Sequence, residues 1–539
     1  MDIEYIISHY FSFTEKDEAN FKEWFSRILN EGFSFINNGE KHPLHGELLP
    51  HEVSILFRTQ DIPAVGEGIS AVLKEALSLI VQNSVRLGHP NYIGHMTQIC
   101  PNFALLCDFI ISFLNQNLVK IETALSATYV EWQTISWLHK LVYKHPESFY
   151  THILDNADSS LGNMCSGGTN ANLTALTVAR NHSFPQLHKI GLFAAYKEAN
   201  CTSAVILVSK RGHYSIKKAA AIIGIGEQNV IEIPCVPFTN QINLVELKKT
   251  IRHLNENHTK IICLVGIAGS TETGSVDDLS SLAQISQEHN IWFHVDAAWG
   301  GALLMSQKYS HLLSGIEQAD SVCLDGHKFF YLTISHSIVL FKNQTSLNHI
   351  RHSANYIIRE GSVDLGRTSI EGSRRFDSFK LWFALKVLGK NGYELLINEA
   401  IEKGNLFSHI IEQHKDFELT SRFVSGILTY RFIPQKIKKL FLSHKNNENF
   451  STTSKEINLI LNKINTDIQK KQRGCGNSFV SRTVLESFFP GQEIVVLRAI
   501  PFNPLTTHNI LADILSEQAE LGNTLIKNEK SIAINFISP

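Results

Sequence analysis

Between residues 204 and 341 six short apolar runs, 204–209, 230–233, 261–267, 291–295, 321–324 and 338–341, alternate with helix-like stretches. Strands that read as continuous apolar runs are buried on both faces, and helices between them make the crossovers that parallel strands require. The expectation is an α/β fold with a mostly parallel central sheet. From about Pro63 to Lys144 apolar residues recur at three- and four-residue spacing (Val72, Leu73, Leu77, Ile80, Val81), which reads as an N-terminal helical arm. Beyond Gly389 helices and strands alternate around a polar stretch, 444–455, that reads as an exposed loop within a smaller C-terminal α+β lobe. A chain of 539 residues exceeds a single small core, and the expected division is 1–105 (helical segment), 106–390 (large domain) and 391–539 (small domain).

Composition narrows the function classes. A formal net charge of −2 offers no electrostatic case for nucleic acid or a membrane surface. The opening MDIEYIISHY carries acidic residues early and lacks the basic and apolar regions of an export signal. The most apolar run, Phe103 to Leu114, is interrupted by Asp108 and is too short to cross a bilayer, so it reads as a buried helix. Eight cysteines are scattered without a C-x-x-C pair or clustering with histidine, so free thiols in a reducing cytoplasm are expected rather than disulfides or a zinc site.

Four segments carry chemistry. Ser166-Gly167-Gly168-Thr169-Asn170-Ala171-Asn172 precedes a helical run, and its backbone N–H groups, the helix end and the Thr169 hydroxyl can cradle a phosphate. Alone, such a segment reads as readily as a turn and helix cap. His213 follows the first run, where α/β proteins place ligands, and can stack on a flat aromatic ligand or be a surface histidine. Asp296, in His294-Val295-Asp296-Ala297-Ala298, ends a buried strand. A carboxylate there needs a cation or strong donor; the protonated nitrogen of a pyridine fits, and the small neighbours, Ala298 among them, leave room for a ring. Lys328, in Asp325-Gly326-His327-Lys328, ends another run, and a lysine whose pKa is lowered by its enclosure can form a Schiff base with an aldehyde cofactor. The four occur together, each near an element end.

With these residues in that order, the chain resembles the group II pyridoxal-phosphate decarboxylases, from roughly Leu87 to the C-terminal region. The densest matches are HYSIKKAAAIIGIG (213–226), IWFHVDAAWGGALLMS (291–306), DGHK (325–328) and GSRRFDSFKLWF (372–383). The resemblance implies a fold-type-I, aspartate-aminotransferase-like enzyme using pyridoxal 5'-phosphate. It assigns Lys328 to the cofactor imine, Asp296 to the pyridine nitrogen, His213 to ring stacking, and Gly167, Gly168 and Thr169 to phosphate. His327 precedes the lysine as in the family, Ser270 or Thr271 falls at a threonine near the cofactor, and Arg498 matches the arginine that pairs with the substrate α-carboxylate. The narrower likeness, in residues 88–124 and in EGSVDLGRTSIEGSR, is to glutamate decarboxylases and to proteobacterial aspartate 1-decarboxylases.

The implied activity is α-decarboxylation of an acidic L-amino acid, aspartate to β-alanine or glutamate to γ-aminobutyrate, by a cytoplasmic homodimer. Decarboxylation of an aromatic amino acid, carbon–carbon lyase or aminotransferase chemistry, and an inactive binding relative are the alternatives. Three departures stand out. His95, a candidate substrate contact, replaces a glutamine usual in glutamate decarboxylases, and Asp325 replaces an asparagine usual in animal members. The loop 359–372, which the resemblance makes the mobile active-site loop, lacks the tyrosine that often returns a proton to the substrate carbon, leaving His213 or His327 for that task.

Overall fold

The computed structural model describes residues 3–11, 14–37, 43–46, 48–151, 153, 156–355, 357–444 and 450–528. Within them a seven-stranded sheet runs in the order β1-β7-β6-β5-β4-β2-β3, formed by β1 (Gly162–Cys165), β2 (Ser203–Ser209), β3 (Val230–Ile233), β4 (Thr259–Ile267), β5 (Trp292–Asp296), β6 (Ser321–Asp325) and β7 (Ser337–Phe341). The pairs β2/β3, β2/β4, β4/β5 and β5/β6 are parallel, whereas β7 is antiparallel to both β6 and β1. Antiparallel to an antiparallel strand, β1 points the same way as β6. The carboxyl ends of β1, β2, β4, β5 and β6 therefore share one edge, which is where open α/β sheets bind ligands.

All six expected strands form. The seventh, β1, was not anticipated, because GNMC contains no β-branched or aromatic residue to mark it. Along each central strand successive side chains enter opposite cores. Val205 and Leu207 pack on one face while Ala204, Ile206 and Val208 pack on the other, and Ile338 and Leu340 alternate in the same way with Val339 and Phe341. Each such side chain contributes roughly 1.5–3 kcal/mol of burial, which is why these runs carry no polar alternation.

Three expectations change. The N-terminal arm is helical over Ile69–Ala76 and continues as a single wide turn, Leu77–Val81, but 82–102 is irregular. Its backbone is tied instead to distant chain, with Ile93 N–H donating to Phe479 O and Ile500 N–H to Ile93 O. The run Phe103–Leu114 is a helix, yet only Ala104, Cys107 and Ile111 are buried among its residues, and Leu106 and Phe113 face outward. Within 444–455, residues 445–449 lie outside the described residues, and from Ser451 the chain is the first turn of the helix Ser451–Cys475 rather than loop.

The C-terminal lobe holds an antiparallel sheet in the order β10-β11-β9-β8, formed by β8 (Phe417–Leu419), β9 (Leu428–Phe432), β10 (Ser481–Glu486) and β11 (Glu493–Ala499). Helices Ser378–Gln413, Ser451–Cys475 and His508–Asn528 pack on it through Phe407, Ile411, Ile468 and Leu515. The first of these helices breaks at Gly389, whose φ of 62° suits glycine. Among the described residues no helix is long and apolar enough to cross a membrane.

Candidate active site

The loops after β1, β2, β4, β5 and β6 wall a cavity of about 510 Å³. Gly167, Gly168 and Thr169 come from the first loop, His213 from the second, Ser270 and Thr271 from the third, Asp296 and Ala298 from the fourth, and His327 and Lys328 from the fifth. His95, from the irregular N-terminal segment, completes this set. Apart from His95, residues scattered between positions 167 and 328 converge because each ends or follows a strand on the same sheet edge.

The helix Gly168–Ser183 starts at the cavity with Gly167 as its cap residue, so its first N–H groups are free to meet an anion. A Cβ on Gly168 would stand 2.8 Å from Asp325 Oδ2, which reserves that position for glycine while Asp325 stays in place. Asp296 Oδ1 accepts from Ala298 N–H at 3.1 Å and Oδ2 from Asn172 Nδ2 at 2.9 Å. His213 Nδ1 accepts from Ser215 N–H at 3.3 Å, which puts the proton of a neutral ring on Nε2. Burial lowers the pKa of His213, with Lys328 acting the same way and Asp296 and Asp325 opposing.

Lys328 departs from expectation in its charge state. Burial pulls its pKa down, but the carboxylate of Asp325, 2.8 Å from Nζ, together with Asp296, outweighs that pull and raises it. The resting amine is thus held as an ammonium rather than poised as a free base. Asp325 is itself fixed, its Oδ1 accepting from Ser337 Oγ at 2.5 Å.

Arg498 does not line the cavity. It lies one layer behind the wall on β11, with Nε donating to Thr271 O at 2.6 Å and Nη1 to Gly94 O at 3.2 Å and Ser481 Oγ at 3.0 Å. Burial brings its pKa down to about 10, against the opposing charge of Glu272, so it stays cationic at neutral pH. His95 lies exposed at the rim, where the surrounding protein and the charges of Arg498 and Lys328 lower its pKa. Its Nδ1 accepts from Thr97 N–H at 3.3 Å, leaving Nε2–H to donate. Ser270 is buried, and its hydroxyl is shared with those of Thr273 and Ser275. His327 Nδ1 lies 2.6 Å from His336 O and also meets His336 N–H at 3.2 Å, so the backbone of His336 answers either tautomer of the neutral ring.

No residue of 359–372 lines the cavity. That segment is anchored elsewhere in its own chain, Asp364 accepting from Ile121 N–H at 2.9 Å and Arg367 donating to Ala157 O at 3.2 Å. Among the lining residues that the sequence reading gave no role, Arg211 and Asn172 carry partners of their own. Arg211 is buried and pairs with Glu272 at 2.7 Å, and Asn172 joins Asp296 to the sheet interior. Asn172 lay inside the glycine-rich segment already singled out and Arg211 two residues before His213, but their partners are tens of residues away.

An anion-binding helix start, a buried amine, a carboxylate among alanines and a half-buried imidazole suit pyridoxal 5'-phosphate, a phosphate ester bearing an aldehyde and a pyridine. Residues 50–433 match the family described as "Pyridoxal-dependent decarboxylase conserved domain". The chain belongs to that family. An aspartate 1-decarboxylase of Aliivibrio fischeri is 42% identical over 482 residues, covering 88% of this chain and 87% of that one. An aromatic-L-amino-acid decarboxylase of Bacillus atrophaeus is 27% identical, covering 85% and 86%. The crystal structure of mouse CSAD, at 24% identity, shares the fold with a TM-score of 0.80 over 94% of this chain and 99% of that one. This decarboxylase is a pyridoxal-phosphate-dependent enzyme acting on an amino acid, and its architecture is the fold-type-I one.

Proposed function

We propose that this decarboxylase removes the α-carboxylate of an acidic L-amino acid, with aspartate, giving β-alanine, ahead of glutamate, giving γ-aminobutyrate. The observation that carries the reading is the 42% identity, over most of both chains, to a relative named for aspartate. The polar rim supports it: His95 presents Nε2–H, and Arg498 places a cation just behind Thr271.

Pyridoxal phosphate, when bound, supplies a sink for the electron pair left on the α-carbon as CO₂ departs. Gly168 and Thr169 would hold its phosphate, Asp296 the proton on its ring nitrogen, His213 the ring face, and Lys328 its aldehyde. For Lys328 to act as an amine its ammonium must lose a proton against the hold of Asp325, whose Oδ2 lies 2.8 Å away. Of the two histidines considered for returning a proton to the α-carbon, His213 is the one whose contacts set the tautomer. Its neutral ring carries the proton on Nε2, whereas Nδ1 of His327 faces both the oxygen and the N–H of His336, which select neither tautomer.

The enzyme would work as a homodimer, the outward apolar face of Phe103–Leu114 and the exposed Leu125 being the surface a second copy covers. Sedimentation should then give about twice the chain mass of 60.6 kDa; a monomer at micromolar concentration would overturn this. We also keep the division 1–105, 106–390 and 391–539. A reducing cytoplasm is the proposed location, consistent with the free state of all eight cysteines.

The substrate reading is tested by following CO₂ and amine with aspartate, glutamate, cysteine sulfinate, diaminobutyrate, tyrosine and tryptophan. Aspartate should be the fastest and the aromatic substrates at least about tenfold slower, the discrimination that one paired distal charge supplies. In the same assay His95→Ala should raise the KM for aspartate, and His213→Gln should keep the cofactor but lose most turnover. An aromatic preference overturns the substrate class. Unchanged kinetics in either variant removes that residue from its role.

A further inference from the structure

One unbroken series of hydrogen bonds crosses the sheet beneath the cavity. Trp292 Nε1 donates to Ser321 Oγ at 2.9 Å, and Ser321 Oγ lies 2.9 Å from His294 Nδ1. His294 Nε2 lies 2.9 Å from Asn172 Oδ1, and Asn172 Nδ2 donates to Asp296 Oδ2 at 2.9 Å and to Ser215 Oγ at 3.0 Å. Ser215 Oγ lies 2.8 Å from His213 Nδ1. Asn172, Ser215, His294 and Ser321 are at most 1% exposed, so none of them can exchange these partners for bulk water.

The carboxylate end, with a neutral imidazole between, dictates the direction of the bonds. An indole N–H only donates, and a carboxylate oxygen only accepts. Ser321 accepts from Trp292 and, because Asn172 Oδ1 calls for the proton of a neutral His294 on Nε2, gives its own proton to His294 Nδ1. The imidazole, kept neutral because burial lowers its pKa against the pull of Asp296, then carries its proton on Nε2 and donates to Asn172 Oδ1. The amide of Asn172 is thereby turned with its NH₂ group toward Asp296 and Ser215, and Ser215, having accepted, donates to His213 Nδ1. In the reversed arrangement a flipped Asn172 would set its carbonyl oxygen against the carboxylate of Asp296. That is two acceptors at hydrogen-bond distance in a buried site, with an unmet desolvation cost.

We propose that His294 is a positioning residue for decarboxylation: through Asn172 it orients the Asp296 carboxylate toward the cofactor's ring nitrogen, and through Ser215 it fixes the tautomer of His213. The proposal rests on the reading of Asp296 as the partner of that nitrogen. With Ala298 N–H on Oδ1 and Asn172 on Oδ2, the plane of the carboxylate is set before any ligand arrives, so no reorganisation is needed when charge develops on the ring. The same chain explains why a histidine is tolerated at the centre of the apolar run WFHVD. Both of its ring nitrogens are satisfied by side chains, which offsets the burial of a polar ring.

The test compares His294→Leu, which keeps bulk and loses both bonds, with His294→Gln, which keeps an N–H donor, and with Ser321→Ala, which removes one oxygen and unlocks the tautomer. Readouts are the dissociation constant for pyridoxal phosphate, the pH midpoint of the bound cofactor's visible absorbance, and kcat and KM for the best substrate. His294→Leu should weaken cofactor binding about tenfold, a typical loss when a group that orients a ligand-binding residue is removed. It should also shift the absorbance midpoint and lower kcat while leaving KM near the wild-type value, and Gln should restore most of each. Ser321→Ala should move the same quantities in the same direction, more weakly, and decides the matter if His294→Leu does not fold. Wild-type values in His294→Leu, or in Ser321→Ala where only that variant folds, beside a crippled Asp296→Asn enzyme overturn the proposal alone. Wild-type cofactor affinity and rate in Asp296→Asn overturn the reading of Asp296 and the proposal with it.

Discussion

Lys328→Ala should purify as a folded protein that binds pyridoxal phosphate only loosely, shows no visible absorbance from a covalently held cofactor, and turns over slower by on the order of 10³-fold or more, the scale expected when a covalent group is lost. The structural ground is specific. Lys328 is the only lysine among the described residues walling the cavity. Its removal also leaves Asp325 without the cation 2.8 Å away, while Ser337 continues to hold the other carboxylate oxygen. An unpaired carboxylate in that position repels the phosphate expected at Gly168, whose missing side chain lies directly against it. Spectrophotometry of the protein after dialysis against the cofactor, with a stopped assay for CO₂, checks both halves. Retained absorbance together with retained activity would remove Lys328 from the centre of the site.

Asp296→Asn should be the second most damaging change, with a loss of about 10²–10³-fold in kcat, the range for deleting one preorganised electrostatic partner. An amide preserves shape but not charge, so nothing anionic remains to keep the ring nitrogen protonated. The two protein donors add a further cost. Asp296 accepts from Ala298 N–H with one oxygen and from Asn172 Nδ2 with the other, and an asparagine can answer only one of them with an acceptor. The remaining donor then faces an NH₂ group, a buried mismatch worth about 1–3 kcal/mol. Cofactor binding should accordingly be weaker than in the wild type but measurable. A single-turnover assay at saturating cofactor separates this loss of affinity from the loss of rate, and a nearly unchanged rate at saturation would refute the role.

Much of this was open to inspection in the chain itself. Strands buried on both faces must be apolar throughout, so the runs now seen as β2 to β7 declared themselves without help from distant residues. The chemistry was legible for a related reason: His213, Asp296 and Lys328 each follow such a run closely, and parallel strands bring their carboxyl ends to one edge whatever the spacing between them. Other features required the folded chain. The strand β1 has too few residues and too little β-branching to be read alone, and residues 82–102 are shaped by bonds to 479 and 500 rather than by their own periodicity. The ammonium state of Lys328 depends on a side-chain distance to Asp325 that no motif specifies, and Arg498 stands behind Thr271 instead of in the cavity, its Nε spent on the Thr271 carbonyl. The partners that orient Asp296 lie far apart in the chain, Asn172 being 124 residues from Asp296 and 122 from His294. Local pattern encodes which face of an element is buried; which polar groups meet there is decided by packing between elements, and that is settled only in three dimensions.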